Sequence, residues 1–253
     1  GYDVGHPWRS YSQSQQINRI AWSPDSAYLA AGGSGSQVYI HAVMGGTKKP
    51  WAIPSYHRHK NWTVYAVAWS PDGTHIASGG YEDEVHLWRP NYAGGYEGAA
   101  KGSIVICRVE GIRESIIKCI VWAPDSSSVF AGRADGGIVQ WHAVTGEFLF
   151  HSKRHQQEVT DLPLSPKDAM TVASSSQDTT VRVWRLIDPP EDDLVYHGHT
   201  NEVLSVAWSP DGTRVVSGGK KDRHLHVWNP STGEVHQRIP LSISFPELLS
   251  ITS

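Results

Sequence analysis

Histidine is the residue type that first invites a chemical reading: fourteen occur in 253 residues, and His57/His59, His197/His199 and His224/His226 each stand two positions apart. Side chains two apart share one face of a strand, so each pair could present two imidazoles to a zinc ion. A closed zinc site needs four ligands, and no cysteine or carboxylate lies at ligand spacing to complete one. These histidines are therefore read as structural or surface groups, and no metal is expected. Carboxylates gather at Glu191, Asp192 and Asp193, just after Pro189 and Pro190. A solvated loop is the expected setting for them.

Catalytic signatures are missing from the sequence. It has no G-x-S-x-G elbow, H-E-x-x-H helix or P-loop, and the glycine-rich AGGYEGAAKGS at 93–103 lacks the G-K-[ST] ending. That segment reads as a long turn. No enzyme activity, catalytic residue or cofactor is expected. Asn61-Trp62-Thr63 has the form of a glycosylation sequon, but without a secretory signal it is read as fortuitous.

Bulk properties bound the partners. A formal charge of −3 with 19% charged residues gives no general footprint for nucleic acid. No run of 18 or more apolar residues suggests a membrane span, and the N-terminus has no apolar stretch of signal-peptide type. Cys107 and Cys119 cannot build a dense disulfide framework, so a reducing, cytoplasmic setting is expected. The first residue is Gly rather than Met, which suggests a portion of something longer.

The elements that must position any site follow from a repeat. AWSPD recurs at 21–25, 68–72 and 207–211, with VWAPD at 121–125 and LSPKD at 164–168 as variants. Their prolines, Pro24, Pro71, Pro124, Pro166 and Pro210, are spaced 42 to 53 residues apart, near the ~40–45 residues of a four-stranded propeller blade. Within one unit VLSVAW, RVVSGG, HLHVW and EVHQRI read as strands, separated by turns at SPDGT and NPSTG. Proline and glycine interrupt a ladder, so the chain reverses there and an antiparallel meander results.

The sequence resembles the WD-repeat β-propellers over essentially its whole length. The family's four-residue network joins a His before strand one, a Ser or Thr in strand two, an Asp before strand three and a Trp closing strand three. By that resemblance the fourth unit matches with His155, Ser174, Asp178 and Trp184, and the fifth with His199, Ser217, Asp222 and Trp228. One extra residue in the fifth unit's turn leaves its Asp position in question. The second unit keeps His59, Ser78 and Trp88 but has Glu82 at the Asp place, beside Asp83. The third keeps Asp135 and Trp141 but has Ile112 and Ala131, and the first has Gln13, Ala31, Gly35 and His41. Blades one and three are expected to be looser, held by burial rather than by the polar network.

The expected fold is all-β: a propeller of four-stranded antiparallel blades over 17–56, 63–107, 116–152, 159–197 and 203–240. A sixth blade is expected to be shared between 241–253 and 1–12, giving about 42 residues per blade; a window from a seven-bladed or longer array is the alternative. Eight tryptophans take core places: Trp22, Trp69, Trp122 and Trp208 in strand one, and Trp88, Trp141, Trp184 and Trp228 in strand three.

The resemblance implies a docking face formed by the loops before strands one and three. Expected partner-binding residues there are Trp62, Tyr65 and Tyr81, then Arg113 and Lys118, then Lys153, Arg154 and Gln177, and finally Lys220, Lys221 and Arg223. Loops carry binding, and tryptophan is over-represented at hot spots. The expected function is a non-catalytic protein or peptide interaction module, a sensor or scaffold, within a larger protein. A small-molecule or glycan-binding propeller is the alternative, prompted by the surplus aromatics.

Overall fold

The computed structural model of the chain describes residues 16–43, 52–56, 59, 63–90, 104–109, 111, 114–168, 170–186 and 193–241. They form five four-stranded antiparallel sheets. Sheet one is β1 (Ile17–Trp22), β2 (Tyr28–Gly33), β3 (Val38–Ala42) and β4 (Ala52–Tyr56). Sheet two is β5 (Val64–Trp69), β6 (Ile76–Gly80), β7 (Glu84–Trp88) and β8 (Ile104–Arg108). Sheet three is β9 (Ile117–Trp122), β10 (Ser128–Arg133), β11 (Gly137–His142) and β12 (Phe148–Lys153). Sheet four is β13 (Val159–Asp161), β14 (Thr171–Ser176), β15 (Val181–Arg185) and β16 (Leu194–Tyr196). Sheet five is β17 (Val203–Trp208), β18 (Val215–Gly219), β19 (His224–Trp228) and β20 (Val235–Pro240).

Each S-P-D turn is fixed by its own side chains. Ser70 Oγ donates to Asp72 Oδ1 at 2.5 Å, and the Thr74 amide donates to the same carboxylate at 2.9 Å. Ser209, Asp211 and Thr213 repeat this in sheet five. Gly73 and Gly212 occupy the left-handed region at φ 71° and 65°, whereas Ser26 and Ser126 are forced there at 58° and 60°. At the other end of the blades a second device recurs. The residue after strand two donates its amide to the carbonyl just before strand one: Ser34 to Gln16, Tyr81 to Thr63, Ala134 to Ile116, Gln177 to Glu158 and Lys220 to Glu202. The loops before strands one and three therefore meet at one end of every blade. The backbone approach leaves no room for a side chain, since a Cβ on Gly80 would lie 2.0 Å from the Thr63 carbonyl oxygen.

Apolar cores lie between successive sheets. Ile40, Val64, Trp69 and Trp88 fill the first junction, and Val85, Leu87, Ile117, Trp122 and Trp141 the second. Phe130, Ile138, Val159 and Trp184 fill the third, and Val181, Tyr196, Val203 and Trp228 the fourth. Each fully buried aliphatic side chain contributes about 1.5–3 kcal/mol. Strand-one tryptophans also tie sheets together: Trp122 Nε1 donates to the Ala68 carbonyl at 3.2 Å and Trp208 Nε1 to Pro163 at 3.1 Å.

Two expectations are corrected. The six-bladed reading gives way to five blades, one for each AWSPD-type motif. A sixth requires the terminal segments to pair and so remove sheet edges, and apart from Leu241 those segments lie outside the described residues. Trp22 is 54% exposed rather than core. Its counterparts are covered by the preceding sheet, and no described sheet precedes the first.

Candidate interaction site

The polar network of blade four is complete. The Asp178 carboxylate can only accept, so His155 carries its proton on Nδ1 and donates to Oδ2 at 2.9 Å. Nε2 then accepts from Ser174 Oγ at 2.8 Å, and the same oxygen accepts from Trp184 Nε1 at 3.1 Å. Burial alone would raise the Asp178 pKa, but hydrogen bonds from His155 and Thr180 outweigh it and hold the carboxyl far below the carboxylate range. Blade five repeats the chain through Asp222, His199, Ser217 and Trp228. Its extra turn residue is absorbed by left-handed backbone at Lys221 and Arg223, so Asp222 keeps its place.

Blade two keeps His59, Ser78 and Trp88 in contact, with His59 Nε2 2.9 Å from Ser78 Oγ and Trp88 Nε1 donating to that oxygen at 3.1 Å. Glu82 turns instead toward His86, at 3.7 Å. In blade three Trp141 Nε1 donates to the Arg108 carbonyl at 2.9 Å. Blade three is fastened by Arg133, fully buried, whose Nη2 lies 3.4 Å from Asp83 and 3.7 Å from Asp135.

The fold does assemble two metal-like groups, His59/Glu82/His86 and His199/Asp222/His226. Most of their nitrogens are already committed, His59 Nε2 to Ser78 and His226 Nδ1 to the Tyr196 hydroxyl. His86 Nδ1 accepts from the Tyr56 hydroxyl at 2.8 Å while Nε2 donates to Glu84 at 3.2 Å. Both nitrogens of His199 are bonded to Asp222 and Ser217. His59 and His86 stack at 4.4 Å and 13°, and His199 and His226 at 4.2 Å and 10°. Imidazole lone pairs lie in the ring plane, so stacked rings aim them in parallel rather than at a common ion. Burial pushes the His59 pKa down to about 3, helped by His86, and that of His226 down to about 4, helped by His199. These are neutral, packed histidines.

The structure redistributes the residues expected on the docking face. Trp62 and Arg113 lie outside the described residues. Lys118 is held on both sides, 4.2 Å over the Tyr65 ring and 3.1 Å from Glu158. Arg154 is buried, paired with Asp193 and lying 4.4 Å over the Trp184 ring. Asp193 thus serves as a partner of Arg154 and Arg182 rather than as part of a solvated loop, while Glu191 and Asp192 lie outside the described residues. Gln177 is half-buried at the blade-four turn, and Lys220 pairs with Glu202 at 3.2 Å. Lys153, Lys221 and Arg223 are exposed and form no ion pair among the described residues.

Sequence reasoning missed one cleft on this face. A cleft of about 500 Å³ opens between the blade-two turn and the loop leading into β9, lined by Tyr81, Glu82, Asp83, Glu84, Arg108 and Glu114 among others. The signal was present in the run Tyr81-Glu82-Asp83-Glu84, but nothing in the chain order places Glu114 opposite it.

No helix among the described residues is long and apolar enough to cross a membrane. Among curated proteins, the chain is 34% identical over 105 residues to human WD repeat and SOCS box-containing protein 1, covering 42% of this chain and 25% of that protein. It is 30% identical over 122 residues to Polycomb protein EED of Chaetomium thermophilum, covering 46% and 21% respectively. Nuclear distribution protein nudF of Aspergillus flavus is 28% identical over 118 residues, covering 46% and 26%. The matched part spans about a quarter of the length of these relatives. The model of the WD domain, G-beta repeat, matches residues 5–41, 52–89, 106–142, 146–185 and 192–229, most of the chain. With its five meander blades, its His-Ser-Asp-Trp network and this match, the chain belongs to the WD40-repeat family, whose β-propellers act as non-catalytic protein-interaction modules.

Proposed function

We propose that this propeller holds a protein or peptide segment on the end of the blades where the loops before strands one and three meet. The observation that carries this is the pairing of a formed cleft with a 50% exposed Tyr81 at its edge. Exposed aromatics beside a recess are the usual anchors of a binding surface. Lys153 of blade three and Lys221 and Arg223 of blade five supply exposed charge on the same end of the blades, which tunes encounter more than it holds a complex. Trp62 belongs to the proposal as an anchor expected from the sequence. A cytoplasmic setting is also proposed, supported by the free, buried thiols of Cys107 and Cys119, both pushed up to about 12 by burial. The glycan alternative gains little, because the cleft is dominated by carboxylates rather than by aromatic platforms.

The test is selection from a displayed random-peptide library on the immobilised chain. Retained peptides should be lost on Tyr81→Ala while the melting temperature stays unchanged. Retention by Tyr81→Ala equal to wild type, or no enrichment at all, would place the function elsewhere.

A further inference from the structure

The cleft between blades two and three has a chemistry of its own. Among its lining residues are four carboxylates, Glu82, Asp83, Glu84 and Glu114, and one guanidinium, Arg108. Arg108 is 60% exposed in its side chain and is directed to Glu84 at 2.8 Å. Among the described residues its lining therefore carries an excess of negative charge. Asp83 marks its deeper part: its side chain is 10% exposed, its Oδ2 lies 3.4 Å from the buried Arg133, and its Oδ1 is buried with no hydrogen-bond partner among the described residues. A buried carboxylate oxygen left without a donor costs free energy, which an arriving donor restores.

The chemistry of the missing donor can be narrowed. A bare divalent ion needs several oxygens converging within a few ångströms. Among the described residues, Glu82 alone of the four cleft carboxylates belongs to a convergent group, and its neighbours there are the stacked His59 and His86. A larger, flat cation matches the spread carboxylates better. Arginine presents five donors in a planar fork and stacks on aromatic rings, and Tyr81 offers an exposed ring at the rim.

We propose that this cleft is a binding site for a cationic side chain of a partner polypeptide, arginine above all, with Asp83 and Glu114 as its carboxylate partners and Tyr81 as its flank. The proposal rests on the interaction reading above and gives the cleft, as distinct from the cationic parts of the same face, a chemical preference for a basic side chain. It also predicts a pH dependence. Burial raises the Asp83 pKa to about 6, opposed by the Arg133 guanidinium and the Ser115 amide and reinforced by Asp135 and Glu114. A bound cation favours the ionised form, so affinity should rise with pH through about 6.

The experiment uses the whole chain and the capped pentapeptide acetyl-Ala-Ala-Arg-Ala-Ala-amide, with its uncharged citrulline counterpart as control. Amide resonances of 81–84 and 114–116 are followed by NMR during titration. The arginine peptide should shift them at about tenfold lower concentration than the citrulline peptide, the size of one charge-assisted hydrogen bond. Asp83→Asn should remove both that difference and the pH dependence. Glu114 is exposed, so Glu114→Gln keeps the fold and should narrow the difference even if Asp83→Asn is unstable. Equal shifts from both peptides, no shift from either, or the same shifts from magnesium or calcium chloride at lower concentration would overturn the site. Library peptides that depend on Tyr81 but leave these resonances unmoved would overturn this site while leaving the interaction reading intact. Absence of any library binder would remove that reading as well.

Discussion

Arg19 and Asp161 form an ion pair at 3.1 Å although 142 residues separate them, joining the innermost strand of the first blade to that of the fourth. Asp161 also accepts from Ser205 Oγ at 3.1 Å in the fifth blade and from the Leu162 amide at 3.1 Å. One buried carboxylate thus links three blades at their inner strands. Asp161→Ala should destabilise the chain by about 1–3 kcal/mol, because several donors lose their acceptor in a buried place. Arg19→Ala should cost less than about 1 kcal/mol, since its side chain is partly exposed and Asp161 keeps its other donors. Chemical denaturation of both variants checks the order; equal losses would show that Asp161 matters only as a partner for Arg19.

The network of blade four makes a sharper claim. Asp178→Ala strands His155 and Thr180, at about 1–3 kcal/mol. Trp184→Ala empties a buried site between blades three and four, at about 3–5 kcal/mol. Differential scanning calorimetry should rank Trp184→Ala below Asp178→Ala, and both well below the wild type. Melting temperatures within a degree or two of wild type would mean that burial alone holds this blade.

Acid should act first on the buried histidines. His59, His86, His199 and His226 all have pKa values lowered in the folded state, to about 3 for His59 and about 4 for His226, with burial the largest cause throughout. Between those values and the ordinary value near 6.5, the unfolded chain binds protons that the folded chain refuses, so stability falls as pH drops from about 6.5 toward 3. His59→Gln with His226→Gln should flatten that slope. A stability curve level from pH 7 to 4 in the wild type would contradict the assignment of these rings as buried and neutral.

Charge on the face should appear in rates. Reversing the exposed Lys221 and Arg223 to Glu should slow association with an acidic library peptide severalfold at low salt, and raising the salt should shrink the difference. Stopped-flow association at two ionic strengths measures this. A change confined to dissociation would mean these side chains are buried in the complex.

Much of the fold was legible because it rests on local chemistry repeated along the chain. Ser70, Pro71, Asp72 and Gly73 specify one turn through contacts within five residues, and the same letters recur. The tetrad in blade four was legible for the same reason, since His155, Ser174, Asp178 and Trp184 keep a fixed spacing. What failed was whatever depends on which blade faces which. Trp22 has the same letters around it as Trp208, yet only Trp208 has a described sheet in front of it. Lys118 and Arg154 read as free cations, but Tyr65, Glu158, Trp184 and Asp193 come to them from other strands. The acidic cleft is likewise a junction property: Asp83 belongs to blade two, whereas Arg133 and Glu114 lie beyond β8.

The central claim, that a partner segment docks where the loops before strands one and three meet, is tested most directly by hydrogen–deuterium exchange on the chain with a library-selected peptide bound. Slower exchange should appear at 81–84 and 114–118. The S-P-D turns around Asp72 and Asp211, at the opposite end of the blades, should remain unchanged. Protection confined to those turns or to the outer strands β12 and β20 would contradict the account.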